Sequence, residues 1–304
     1  MVEIRKVQRT GDMHYLYLPT SWCKEHHITS DSMVSITKSS EGSLIITPKL
    51  IKKRPKHVEI NVSEDDLNII NKLIVGCYIN PSDSFKINLS KALDYRKLLD
   101  QKRLVSVELV EIEEKGKTIT CESSIDIGDP DMLLKTMVNK IKNMLVVMTK
   151  NPNKELILRY EEEIDRNRIL IDKSVISSMT FKRESKLKTV DLFYISLLAK
   201  DIERIADHII LLNEKEEKFL EQLLDIISSL KNIIDIATEI GKRIDYKTAI
   251  EFSKKVLGIK EEKIKDVTSY YKAGIRHYLT DISEVIIDWS ITNEIEESKS
   301  QRND

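Results

Sequence analysis

The spacing of apolar residues changes character part-way along the chain. In residues 1–56 it comes in short runs. "HYLYLP" (14–19) and "SLIITP" (43–48) are rich in aromatic and β-branched residues and each closes on a proline, "MVSIT" (33–37) alternates, and "SSEG" (39–42) reads as a turn. Between the runs, "TSWCKEHH" (20–27) predicts one short helix capped by Thr20 or Ser21. Residues 57–127 predict a small α/β segment. "SEDDLNIINKLIVGCYI" (63–79) is a helix with Ser63 as its cap and acids in its first turn, and "KALDYRKLLDQK" (91–102) is a second helix. "FKINL" (85–89), "LVSVELVEI" (104–112) and "KTITCES" (117–123) are strands. From Asp129 onward the period is that of a helix. Asp129-Pro130 and Asn151-Pro152 each place a cap before a proline, and the pattern predicts helices over about 130–149, 152–178, 186–213, 215–243, 245–271 and 274–293. In the third, Ile195, Leu198, Ile202, Ile205, Ile209 and Leu212 form one core-facing stripe. The polar end, "NEIEESKSQRND", predicts no ordered element.

Composition sharpens this division. All 6 prolines lie at or before Pro152, as expected if the rest is helical. The whole chain is nearly neutral, with 49 Lys+Arg against 50 Asp+Glu, but residues 1–56 hold ten cations against five acids. A basic head is thus joined to an acidic body. Cys23, Cys77 and Cys121 are far apart and form no CxxC, which points away from a disulfide framework or a cysteine zinc site and suits a reducing cytoplasm. No secretory leader and no uncharged 18-residue window is present, so no membrane span is expected and the cytoplasm is the expected location.

The candidate chemistry lies in "AKDIERIADHIILL" (199–212). Glu203 and Asp207 are one turn apart on one face, flanking the core stripe, where like charges cost a helix roughly a few tenths of a kcal/mol. Such a pair belongs either to a solvated helix face or to a site for a hard cation, completed by acids from a neighbouring helix. The spacing recurs in "DISEVIIDWS" (281–290), with Glu284 and Asp288, and in "RYEEEIDRN" (159–167), with Glu161 and Asp165. No histidine follows a glutamate by three residues, which excludes the di-iron carboxylate pattern of ferritin-like bundles. His208 and His277 read as helix-surface or helix-end residues. Neither GxxxxGK[ST], GxGxxG nor GxSxG occurs, and no nucleophile or acid–base set stands out, so an enzyme is not expected.

"LLAKDIERIADHIILL" resembles the third-helix signature of the PhoU family, a Leu/Ile-Glu-Arg-Ile-Gly/Ala-Asp-His run that closes each three-helix repeat. The resemblance implies a body (128–294) of two such repeats, about 130–213 and 215–293, with divalent or trivalent metal ions (iron, zinc or magnesium-like) held by surface acids. Carried over, the ligands are Glu203 and Asp207, then Glu284 and Asp288, and more weakly Glu162 and Asp165, which resemble acids of the family's second helix. The second repeat departs from the signature, with Val285, Ile286 and Trp289 in place of the Arg, the interior residue and the His.

Residues 5–48 resemble the AbrB/SpoVT swapped-hairpin DNA-binding domain. They share Arg-Lys-Val, Thr-Gly, Leu-Pro followed by Trp22, Ile28 to Val34, and Gly-Ser-Leu before Pro48. "GDMH" and "EHHI" depart from that pattern. The likeness implies a homodimer that interleaves hairpins, and a β-unit of this size has too little core to stand alone. Arg5, Lys6 and Arg9 on the first strand, with Lys24, are then the residues to meet double-stranded DNA; the other reading makes them edge-strand charges that block aggregation.

The expected chain is therefore a multidomain α+β protein: a β-rich swapped-hairpin head (1–56), a small α/β connecting domain (57–127), an all-α PhoU-like body of two three-helix repeats, and a disordered tail (295–304). Two functions are expected. One is a DNA-binding regulator of phosphate uptake with a metal-binding sensor body. The other is an adaptor that acts on a phosphate transporter ATPase or a sensor kinase through protein contacts.

Overall fold

The structure is a computed structural model that describes residues 4–38, 42–48, 57–80, 82, 84–94, 110–113, 116–122, 128–181, 187–212, 216–239, 241–261 and 263–300. The chain separates into two compact units, 1–54 and 55–304.

In the first unit, β1 (Gln8–Thr10) pairs antiparallel with β2 (Met13–Tyr15), and β3 (Ser35–Lys38) pairs with β4 (Leu44–Thr47). Gly11, at φ +62°, makes the first turn, in a region of backbone space that favours glycine. Helix α1 (Thr20–Glu25) joins the hairpins. Its cap residue is Pro19 rather than Thr20 or Ser21, and no side chain caps it. The predicted strand at 14–19 stops at Tyr15, because its partner β1 is only three residues long. Arg5 and Lys6 therefore precede the first strand, and only Arg9 lies on it. No described residue of this unit is buried, and nine large apolar side chains, Ile4 through Leu44, are exposed.

The second unit begins with a four-stranded sheet of order β5-β6-β8-β7. β5 (His57–Val62) and β6 (Ser84–Leu89) run parallel, linked through α2 (Leu67–Ile79), and β7 (Val110–Glu113) and β8 (Thr118–Glu122) are antiparallel. Asp66, not Ser63, caps α2, accepting from the Asn68 and Ile69 backbone N–H groups. Ile70, Ile74 and Tyr78 point one face of α2 onto Phe85, Ile87 and Ile119. Of the predicted helix at 91–102, residues 91–94 are not helical and the rest lies outside the described residues, as does the 104–109 part of the predicted strand.

The body is built from α3 (Pro130–Lys150), α4 (Lys154–Phe181), α5 (Thr189–Ile209), α6 (Glu217–Ala237), α7 (Tyr246–Leu257) and α8 (Val267–Ser300). Its core includes Ile195, Leu198, Ile202, Ile205 and Ile209 of the predicted stripe, all at 0% exposure. Each such side chain contributes about 1.5–3 kcal/mol on burial. Two boundaries differ from the sequence reading. α4 starts after Asn153, whose side chain accepts from Leu156 N–H, so Pro152 lies outside the helix. The break between the last two helices falls at 258–266 rather than near 272. Asp266 and Ser269 fix it: Asp266 accepts from Ser269 N–H, and the Ser269 hydroxyl accepts from the Lys265 and Asp266 N–H groups, a capped start inside what read as continuous helix. α8 then runs through the predicted polar tail to Ser300.

α3 packs on α4 and α6, α5 packs on α4 and α8, and α7 packs on α8. The sheet segment rests on α4 through α2: Ile169 is buried in the sheet's apolar cluster, and buried Lys173 places its amine 3.7 Å from the centre of the Tyr78 ring.

Candidate functional site

Helix α4 carries four acids within five residues, and its neighbours sort them. Glu163 turns to α3, in contact with Lys140, and also meets Arg159 at 3.5 Å. The Lys140 amine is pushed below its ordinary pKa by burial and, next, by Arg159. Glu161 and Asp165, one turn apart, face α5 instead, where Asp207 joins them. One carboxylate oxygen from each of the three lies within 4.8 Å of the others. Asp165 is buried, and Glu161 and Asp207 are half-buried. Three carboxylates that converge this closely can offer a cation one oxygen each. An all-oxygen donor set of this kind fits hard cations such as magnesium, manganese, calcium or iron better than zinc, since neither His nor Cys joins it.

The predicted ligands divide accordingly. The structure brings Asp165 and Asp207 together and adds Glu161, which the second-helix resemblance had passed over for Glu162; Glu162 is not in the cluster. Glu203 does not join it. Its carboxylate stands 3.7 Å from Arg168 Nε, and Arg168 in turn donates to Asp172 at 2.8 Å, while Asp172 accepts from Ser196 at 3.2 Å. Glu284 and Asp288 are exposed, and among the described residues they belong to no group of three metal-competent side chains.

His208, next to Asp207, is a packing residue. Its Nδ1 lies 3.0 Å from the Arg204 carbonyl, and its ring meets Tyr271 and Tyr278 of α8 edge-on. Gly274 makes room for it: a Cβ there would fall 2.6 Å from the imidazole Cδ2. Trp289 occupies the corresponding position on α8. It is 1% exposed, stacks on Tyr194 of α5 with centroids 5.6 Å apart, and donates from Nε1 to Asp191 at 2.8 Å. Nothing in the sequence signals that these two rings lock α5 to α8 from opposite ends, because the contacts join residues far apart in the chain.

The candidate DNA residues Arg5, Lys6, Arg9 and Lys24 are all exposed. Arg9 is partly held by its own hairpin, donating from Nε to the Gly11 carbonyl at 2.7 Å and standing 3.6 Å from Asp12.

The three helices α3 to α5 are also where the chain has a known likeness. Residues 132–211 match the PhoU domain. Comparison with curated proteins and with solved structures gave no significant match. The PhoU match spans α3 to α5, of which α4 and α5 hold Glu161, Asp165 and Asp207, and it points to regulation of phosphate homeostasis. Among the described residues no helix is long and apolar enough to cross a membrane.

Proposed function

We propose that this chain is a dimeric, non-enzymatic regulator of phosphate homeostasis whose head binds double-stranded DNA and whose PhoU-type first repeat holds a hard cation at Glu161, Asp165 and Asp207. The observation that carries the DNA half is a head with no buried residue among those described, nine exposed large apolar side chains and an exposed basic segment at its start. A unit in that state lacks the apolar burial that folding needs, and a second copy interleaving its hairpins supplies it. Dimerisation then doubles Arg5, Lys6, Arg9 and Lys24 about one axis. If all eight cations met phosphates, the slope of log affinity on log salt would be about −7.

Fluorescence anisotropy with duplex DNA over a salt series tests this reading, with light scattering for the dimer. Arg5→Ala with Arg9→Ala is expected to weaken binding and flatten the slope while the helical circular dichroism signal holds. Unchanged affinity in that variant refutes the assigned surface.

The PhoU match favours a second reading, an adaptor that contacts a phosphate transporter ATPase or a sensor kinase. Recovery of those proteins in a pull-down, with no DNA bound even at low salt, would select it.

A further inference from the structure

We infer that the outer face of the α7–α8 hairpin packs on the same face of a second copy of this chain, about a two-fold axis parallel to the helices. This contact is additional to any interleaving of the heads and does not depend on it. The hairpin concentrates exposed apolar surface: of the 13 exposed large apolar side chains described in the helical body, eight lie on α7, α8 and the link between them. On α7, Tyr246, Ile250 and Leu257 are 48%, 44% and 61% exposed and fall within about 40° of one another around the helix. Ala249, Phe252 and Val256 take its buried side. Lys255, on the far flank, reaches Asp225 of α6 at 3.0 Å, so the apolar stripe lies on the flank next to α8, the helix on which α7 chiefly packs. On α8, Glu284, Asp288, Ile291 and Ile295 are exposed and fall within about 60° of one another, on the side away from the buried Ile282 and Ile286.

Charge says what covers this face. Lys247 and Lys254 border the α7 stripe, Glu284 and Asp288 belong to the α8 stripe, all four are exposed, and none of them makes an ion pair with a described residue. The hairpin is antiparallel. Arg243, just ahead of α7, donates to the Asn293 carbonyl, and Glu261, just beyond α7, stands 3.2 Å from Arg276. At a rise of about 1.5 Å per residue, Lys247 then comes close to the level of Asp288, and Lys254 close to that of Glu284. A two-fold axis parallel to the helices sets each α7 against the α8 of the second copy, antiparallel and at the same level. Lys247 then faces Asp288 of the other copy, Lys254 faces Glu284, and Tyr246 comes opposite Ile291. An isologous contact makes each of these pairings twice. An axis across the helices would lay α7 on α7 and α8 on α8, with like charge against like, which electrostatic complementarity disfavours. An anionic lipid surface would attract the lysines of α7 and repel the acids of α8. A second copy matches both signs at once and covers both apolar stripes.

Cross-linking between two full-length chains tests the contact. One chain carries Tyr246→Cys, the other carries Ile291→Cys and a tag that alters its size, and the two are produced together and treated with a short bismaleimide. A product joining one chain of each kind is expected, with the 246–291 link identified by peptide mapping and the unaltered chains setting the background from the native cysteines. Adding Lys247→Glu and Lys254→Glu to the first chain should lower the yield of that link at least about fivefold, since two exposed ion pairs become like-charge pairs. Adding Glu284→Lys and Asp288→Lys to the second chain as well should restore it. Chains tethered only through their heads would give a yield that charge reversal does not move, and a face that is free or covered by another protein would give no 246–291 link. Either result overturns the assignment, as does a loss that the second reversal fails to recover. None of these results bears on whether the head binds DNA or whether the carboxylates of α4 and α5 hold a cation.

Discussion

Among the first three helices of the bundle, Asp207 on α5 meets Glu161 and Asp165 on a 28-residue α4; among the last three, Glu284 and Asp288 stand exposed on α8, which packs on a 12-residue α7. The closing helices carry the same acid spacing, and only one of them sits beside a second helix with acids to match. α7 contains Glu251 as its single acid against Lys247, Lys254 and Lys255, so no carboxylate pair is available to complete a site there. The match to the PhoU domain likewise covers α3 to α5 and stops at residue 211. Glu-x-x-x-Asp on a helix therefore identifies a face. Whether that face becomes a site depends on its neighbour.

The ring one residue beyond each acid pair shows the same divergence. His208 is half-buried and nests against Gly274, while Trp289 is fully buried and stacks on Tyr194. The interface between α5 and α8 is thus held by a small polar knob at one end and a large apolar one at the other.

Four experiments test this asymmetry. The largest effect is expected from Trp289→Ala, which removes a buried indole and its hydrogen bond to Asp191. A loss of about 3–5 kcal/mol in chemical denaturation is the outcome expected for such a cavity, against a much smaller loss for His208→Ala; equal losses would mean that the two ends carry equal weight. Next, a cation present at a hundred times its dissociation constant should stabilise the unaltered chain by about 2.7 kcal/mol. That gain should vanish in Glu161→Gln with Asp207→Asn and persist in Glu284→Gln with Asp288→Asn, read as the difference in melting temperature with and without chelator. Metal-dependent stabilisation lost in the second variant would place a site on α8 after all.

A smaller effect belongs to Gly274→Ala, whose new methyl must displace the His208 ring. Overpacking of this kind costs about 1–3 kcal/mol, and His208→Ala in the same chain should recover most of it; a loss that is not recovered would move the cause to the backbone. The smallest effect concerns Asp201, a buried residue of α5. Burial and, next, the neighbouring Asp281 raise its pKa above 3.8, against the opposing pull of Arg204, 3.1 Å away. The folded chain then holds this proton more tightly than the unfolded one. The contribution from Asp201 is greatest below about pH 3.8 and is lost as pH rises through the higher folded value. Asp201→Asn should therefore melt at a higher temperature than the unaltered chain at pH 7 and at the same temperature in strong acid. A lower melting temperature at pH 7 would show that the bond to Arg204 outweighs the desolvation.

The sequence by itself determined the α+β architecture, with short strands ahead of a helical body, and the stripe from Ile195 to Ile209, because these follow from local periodicity and from where proline is absent. It also marked Glu161, Asp165 and Asp207 through the spacing of charges on single helices. Only the tertiary structure decided that these three converge, that Glu203 stands apart beside Arg168, and that two rings lock α5 to α8. Each of these outcomes joins side chains from different helices. Helical spacing fixes the direction in which a residue points, but the partner it meets is set by the packing of the neighbouring helix.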